Sequence, residues 1–259
     1  MNLALRLAPL LAILAVLGVN AAANIVPING FQTGQLAAMY PTGFTPPGWV
    51  FRIWSLIYLG LLAFGIAALA GPAAIRERAA SVTPLFLVNA AGNIGWVFAW
   101  HYRQVGLSLV LMVVILATLI AITTKLRRRP PERWTARLLV DAPFSLYFGW
   151  ITTASLANLG NWFYALQAWP LGLAMDDWAL VTVVVATAVY VWMTTVTRDL
   201  LYGAVFVWVA AGIYLRPAGI VDAVQLAAAA GGVMVAVAIV IVVLRRGINI
   251  SAASVSDPR

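Results

Sequence analysis

The chain has 259 residues, of which 63% are hydrophobic and only 9% are charged. Soluble globular domains carry about 25% charged residues, so this composition excludes an ordinary soluble domain and indicates a membrane protein. The absence of cysteine excludes disulfides, thiolate metal sites and thiol nucleophiles, and the net charge of +8 calls for an explanation in topology.

Eight apolar segments follow one another along the chain. Each is continuous, which favours membrane-spanning helices over the alternating pattern of a β-barrel. The segments cover residues 5–25, 48–70, 82–100, 106–124, 138–159, 178–196, 200–215 and 221–244. The first segment is long for a cleaved signal peptide, so we expect it to be retained, although residues 21–23 resemble a cleavage site. The sequence therefore predicts an all-α polytopic membrane protein with eight spans.

The positive charges lie almost entirely on one side of these spans. Of the 16 lysines and arginines, only Arg52, Arg103 and Arg216 fall elsewhere. The positive-inside rule then predicts that both termini are cytoplasmic. The basic run KLRRRPPER at residues 125–133 is predicted to contact anionic lipid headgroups, with no role in binding nucleic acid.

The second segment carries polar and aromatic features that a helix merely filling lipid does not need. Pro46 and Pro47 suit the first turn of a helix. Trp54 and Tyr58 lie four residues apart, hence on one face, and Arg52 lies at the expected membrane boundary. The preceding loop, residues 24–47, contains no charged residue and could fold as a lid over the helix ends.

Two further segments carry polar and aromatic stripes at helical spacing. The residues are Asn89, Asn93, Trp96 and Trp100 in the third segment, and Tyr147, Trp150, Ala154, Asn158 and Asn161 in the fifth. Polar groups inside a membrane face the helix bundle. For any single residue the better interpretation is a helix–helix hydrogen bond or an interfacial tryptophan. Together, the three faces predict an aromatic cavity for a large flat ligand.

Residues that could perform catalysis are scarce. The only histidine, His101, is expected to be an interfacial residue and not a haem ligand. Asp141 lies four residues after Arg137 and is expected to pair with it. A proton relay through Asp141 would need a second acidic group inside the membrane, and the sequence has none. We therefore predict no catalytic or metal-binding residue.

These stripes resemble the signature of the TspO/MBR family, the bacterial tryptophan-rich sensory proteins and the mitochondrial translocator (peripheral benzodiazepine receptor). PPGWVFRIWSLIY is similar to W-x-P-P-x-W-x-F-x-x-x-W-x-x-L-Y, NAAGNIGW to Q-L-x-L-N-x-x-W, and YFGWITTASLAN to Y-x-x-W-x-x-F-A-T-Y-L-N. Phe44 stands where the family usually has the leading tryptophan, and Leu146 where it has a proline.

The resemblance implies a five-helix bundle over residues 1–166, in the inner membrane of a bacterium, that binds porphyrins beneath the first loop. No cofactor is required, and a porphyrin or haem would be a ligand. The residues expected to bind the ligand are Trp49, Arg52, Trp54, Tyr58, Asn89, Asn93, Trp96, Tyr147, Trp150, Ala154 and Asn158. Arg52 is expected to meet either ligand propionates or the first loop.

The remaining segments, residues 167–259, form an extension that the family's usual chain lacks. They do not repeat the first-half motifs. Tyr164 is not followed by a basic residue, so the family's sterol-recognition pattern is absent. The small residues AAAAGG of the last segment are compatible with a homodimer seam.

Three functions remain open from the sequence. The first is a receptor or sensor that binds a tetrapyrrole or similar flat ligand and modulates tetrapyrrole metabolism or a stress response. The second is a transporter of such ligands, whose path the extra helices complete. The third is an enzyme that degrades porphyrin in light.

Overall fold

The computed structural model describes residues 3–131, 133–217 and 222–255, with side chains as far as residue 245. Eight long helices lie at the predicted segments. They are α1 (Leu3–Ile25), α2 (Ile53–Ala70), α3 (Ala73–His101), α4 (Val105–Arg127), α5 (Ala142–Leu166), α6 (Met175–Thr197), α7 (Leu200–Tyr214) and α8 (Ala223–Val255). The described residues contain no strand, which confirms the all-α prediction.

Six stretches of the described chain are long and apolar enough to cross a membrane. They are α1, α2 with the turn before it, α3, α4, α6, and α8 as far as Arg245. The eight predicted spans are therefore present as helices, but two of them differ from the rest. Helix α7 has 15 residues, about 22 Å, which is shorter than a hydrocarbon core of about 30 Å. Helix α5 is enclosed by other helices.

Helix α5 is the centre of the fold. No residue between 142 and 164 is exposed. One side of α5 packs on α2 and α4, and the other side packs on α6 and α7. A helix surrounded by protein can carry polar groups on several faces when each finds a partner. Thr153 of α5, for example, shares a 2.8 Å hydrogen bond with the Tyr190 hydroxyl of α6.

The other helices complete two connected groups. Helix α1 packs on α2 and α3, and α3 packs on α4, while α8 packs on α6 and α7. One continuous hydrophobic core includes Phe64 from the first group, Phe144 from α5, and Tyr190 and Phe206 from the second group. The division at residue 166 stays a prediction, and the packing across it is extensive.

Several segment boundaries differ from those expected. Residues Gly48–Arg52 form a 3-10 turn, so α2 begins only at Ile53. Helix α3 starts nine residues before the predicted boundary at residue 82, because the amphipathic stretch that follows Pro72 is also helical. Helix α5 follows a π-helical turn, Arg137–Asp141, and continues to Leu166.

Asp141 does not pair with Arg137 as expected. Its carboxylate instead binds Arg78 through two hydrogen bonds of 2.8 Å each. The π-helical turn changes the side-chain register of residues 137–141, so the α-helical i,i+4 spacing on which the expectation rested does not apply. A second ion pair at the same end of the bundle joins Arg127 to Asp199 at 2.9 Å.

The small residues of α8 are used for packing inside the chain. A Cβ atom on Gly231 would lie 2.2 Å from the Thr187 hydroxyl of α6, and one on Gly232 would lie 3.0 Å from Ala210 of α7. These glycines therefore allow α8 to approach its own neighbours closely. The homodimer stays a prediction, and this stretch of α8 already packs against α6 and α7 of the same chain.

Candidate ligand-binding site

A cavity of about 1050 Å³ lies where the helices α1 to α5 meet the first loop. This is the end of the bundle opposite the Arg78–Asp141 pair, because α2 runs from the first loop toward α3. Residues 33–34, 37–38, 40–43 and 45–48 line the cavity from the side of the loop, and Leu17, Asn20, Ala21, Asn24 and Ile25 line it from α1. About half of the residues of the first loop therefore line the cavity.

Aromatic rings form much of the wall. Trp54 stacks on Tyr58 with ring centroids 5.0 Å apart, and its edge meets Trp150 of α5 at 5.9 Å. On α3, Trp96 and Trp100 are nearly parallel at 5.9 Å. The loop residue Tyr40 packs on Trp100 at 5.3 Å. These flat surfaces suit a ligand with an extended ring system.

Several polar groups in the wall have no partner within the described part of the chain. They are the indole N–H groups of Trp96, Trp100 and Trp150 and the side-chain oxygen of Asn161. All four residues line the cavity. Buried polar groups in proteins are normally hydrogen-bonded. The four atoms are themselves buried, so they lie beneath the cavity surface and do not present donors or an acceptor to a ligand in this structure.

The Asn93 side chain forms hydrogen bonds with two other helices at the cavity wall. Its Nδ2 donates to the Tyr147 hydroxyl at 3.1 Å, and its Oδ1 accepts from Asn20 of α1 at 3.0 Å. Three helices are thus joined at one amide. Asn158 is fixed in a similar way, because its side chain exchanges hydrogen bonds with Ser108 of α4 at 3.2 and 3.3 Å.

The structure brings most of the predicted residues together around the cavity. Those that line it are Trp54, Tyr58, Asn93, Trp96, Trp150, Ala154 and Asn158. Four other predicted residues, Trp49, Arg52, Asn89 and Tyr147, lie outside the lining. Tyr147 is close behind the wall, with its ring 5.8 Å from Trp54, and positions Asn93.

The other three residues have different neighbours. Arg52 is exposed. Trp49 packs edge-on against Trp208 of α7, with centroids 4.9 Å apart. Asn89 donates to the Thr118 hydroxyl and the Ile115 carbonyl of α4, at 2.8 and 3.1 Å. Asn89 therefore joins two helices, as the alternative interpretation of the stripes expected for a single asparagine.

Several lining residues were absent from the predicted set. Asn20 could have been found, because a polar residue inside an apolar segment is a signal of function. Trp100 and Asn161 belonged to the stripes but were not assigned to the site. Tyr40 and Arg216 gave no signal, since their place at the cavity depends on contacts between distant parts of the chain.

His101 helps to attach the first loop to α3. Its ring is fully buried, with Nδ1 2.7 Å from the Val97 carbonyl and Nε2 3.3 Å from the Thr33 hydroxyl. Asn29 donates to the His101 carbonyl at 3.0 Å. Both ring nitrogens thus contact protein groups, and the ring is buried at the base of the loop. The expected position of His101 at the membrane interface stays a prediction.

We expect Asn89 and Thr118 to stabilise the fold as a coupled pair. Asn89→Leu and Thr118→Val should each lower the unfolding free energy, and a double-mutant cycle should give a coupling of about 0.6 kcal/mol, the average for such bonds in membranes. The measurement is unfolding by SDS in mixed micelles. Strictly additive losses would contradict the interhelical bond.

Comparison with known families gives one match. The model of a family described as TSPO-like protein matches residues 6–243, from α1 into α8. The matched range crosses the boundary predicted at residue 166 and includes most of the extension. No curated protein and no solved structure matches the chain.

Proposed function

The chain belongs to the TSPO-like protein family, and from that premise we propose that it is a membrane receptor for a flat, largely apolar ligand of the tetrapyrrole class. The ligand binds in the cavity between the helices α1 to α5. Its occupancy then reports on, or modulates, tetrapyrrole metabolism or a stress response.

The cavity itself is the observation that supports this proposal. Its volume of about 1050 Å³ is at the upper end of the range of roughly 300–1,000 Å³ for small-molecule sites, which suits a large ligand. The indole and phenol rings of Trp54, Tyr58, Trp96 and Trp150 offer stacking surfaces.

The chain is a multi-pass membrane protein, and we propose that it lies in the inner membrane of a bacterium with both termini cytoplasmic. In this orientation the Arg78–Asp141 and Arg127–Asp199 pairs are on the cytoplasmic side, with the basic run at residues 125–133. The cavity and the first loop then face the opposite side of the membrane.

Quenching of tryptophan fluorescence tests the proposal. The purified full chain in detergent is titrated with protoporphyrin, haem and a sterol, and saturable quenching by at least one tetrapyrrole is expected. Absence of saturable quenching by both tetrapyrroles would overturn the proposal. Illumination of the protoporphyrin complex discriminates receptor from enzyme: an unchanged porphyrin spectrum supports the receptor, and bleaching that needs the protein supports the enzyme.

We expect Trp150→Leu to weaken protoporphyrin binding about fivefold, because an aromatic contact contributes roughly 0.5–1.5 kcal/mol beyond its buried area. Trp192→Leu is the matched control. Trp192 lies on α6 with 60% of its surface exposed and is not among the cavity residues, so its loss should leave the affinity unchanged. Equal effects of the two substitutions would place the ligand elsewhere.

A further inference from the structure

The extension reaches the cavity through one charged residue. Arg216 follows α7 directly and belongs to the cavity lining. Every other lining residue within the described chain is uncharged. Placing a single cation in an otherwise uncharged wall costs free energy unless the cation has partners. The cation also makes the site prefer a ligand that carries a negative charge.

Arg216 is held firmly in this position. Its Nη1 donates to the Gly43 carbonyl of the first loop at 2.5 Å, and its Nη2 pairs with the Asp222 carboxylate. Gln225 of α8 donates to the backbone carbonyls of Arg216 and Tyr214, at 3.2 and 2.9 Å. Both the backbone and the guanidinium of Arg216 are therefore fixed before any ligand binds.

Asp222 is in turn fixed as an ionised carboxylate. It accepts a 2.8 Å hydrogen bond from the backbone N–H of Gln225. That bond, and to a smaller extent Arg216, hold the pKa of Asp222 below its usual value. The Arg216 side chain is 20% exposed and that of Asp222 is 46% exposed, so the pair lies where the cavity wall approaches water.

We propose that Arg216 determines ligand specificity by binding an anionic group, a carboxylate, on the edge of the flat apolar ligand. This inference rests on the proposed function and adds the charge of the ligand to it. A guanidinium has five N–H donors and no acceptor, and two of its nitrogens already bind Gly43 and Asp222. The remaining donors can receive a carboxylate oxygen while the ring lies among the aromatic side chains.

Arg52 is the competing candidate for this role. The sequence suggested that it meets ligand propionates, but its side chain is exposed and outside the cavity lining. Arg216, which is more than 150 residues further along the chain, lies in the lining. The two assignments, a carboxylate bound by Arg52 or by Arg216, therefore predict opposite results for the same experiment.

The experiment compares protoporphyrin, which has two carboxylates, with its dimethyl ester, which has the same ring and no negative charge. Binding of each to the full chain in detergent is measured by tryptophan quenching. The wild-type protein is expected to bind the diacid about tenfold more tightly than the ester, since a hydrogen-bonded charge contributes about that factor. Arg216→Gln should reduce this ratio to near one, mainly by weakening the diacid.

Two further variants and one control complete the design. Arg216→Lys should keep a preference for the diacid smaller than that of the wild type, since lysine keeps the charge without the planar fork. Arg52→Gln should leave the ratio unchanged. Arg128→Gln removes the same charge from the exposed, opposite end of the bundle and should also leave it unchanged.

The ratio of the two affinities is internal to each variant and does not depend on how much of the sample is folded. An unchanged ratio in Arg216→Gln, or a ratio lost in Arg52→Gln, would overturn the role of Arg216 and leave the proposed function intact. Failure of the wild type to bind either probe would instead overturn the proposed function.

Discussion

Replacing Arg78 by methionine is expected to lower the free energy of unfolding by about 3–5 kcal/mol, the range for breaking a buried ion pair. The Arg78 side chain is only 11% exposed and that of Asp141 is 21% exposed. Besides its two bonds to Asp141, Arg78 donates to the Leu126 carbonyl at 2.9 Å and to the Arg129 carbonyl. One guanidinium thus joins the start of α3, the end of α4 and the π-helical turn before α5.

The loss would leave the Asp141 carboxylate without its guanidinium partner and would remove one donor from each of the two carbonyls. Unfolding by SDS in mixed micelles measures the effect, with Arg128→Gln as the exposed control, expected within about 0.5 kcal/mol of wild type. Arg78→Met combined with Asp141→Leu should recover part of the loss, because an apolar pair removes the uncompensated charge. A double variant no more stable than Arg78→Met would contradict this account.

Gly212→Ala should disturb the site from a distance. A Cβ atom on Gly212 would lie 2.1 Å from Cγ2 of Val50, and Val50 is fully buried in the turn that precedes α2. Valine is restricted at χ1 and Val50 is enclosed by other residues, so we expect the turn to shift. We expect a loss of about 2 kcal/mol in stability, as for overpacking elsewhere, and a more than tenfold weaker affinity for protoporphyrin.

Affinity should fall because the same turn leads into Phe51 and Trp54 of the cavity wall. Thermal unfolding and tryptophan quenching measure the two effects. Gly18→Ala is the matched control, since nothing lies within 4 Å of a Cβ atom there. Val50→Ala removes the clashing methyl, so the double variant should regain most of the lost affinity, and no recovery would contradict a steric cause.

The helices were predictable from sequence because an apolar segment of adequate length has few alternatives in a membrane. The start of α2 was not. Its 3-10 turn is bound from α7, where Trp208 donates to the Val50 carbonyl at 3.0 Å. A contact between residues so far apart leaves no pattern in either segment.

The candidate site was predictable to the extent that helical periodicity allows. Asn89 and Asn93 are four residues apart, but 3.6 residues per turn rotates them by about 40° relative to each other. That rotation directs Asn93 to the cavity and Asn89 to α4. Periodicity does not predict which of Arg52 and Arg216 lines the cavity, because that depends on contacts between distant parts of the chain.

The enclosure of α5 has a thermodynamic consequence. Thr153 lines the cavity and also bonds the Tyr190 hydroxyl of α6, while Thr152 one position earlier accepts from Tyr202 of α7 at 3.2 Å. A ligand that displaces this part of α5 therefore also changes its hydrogen bonds to α6 and α7. Linkage is reciprocal. If the ligand changes the affinity of a second molecule that binds α6 or α7 at these contacts, then the second molecule changes the affinity of the ligand by the same factor.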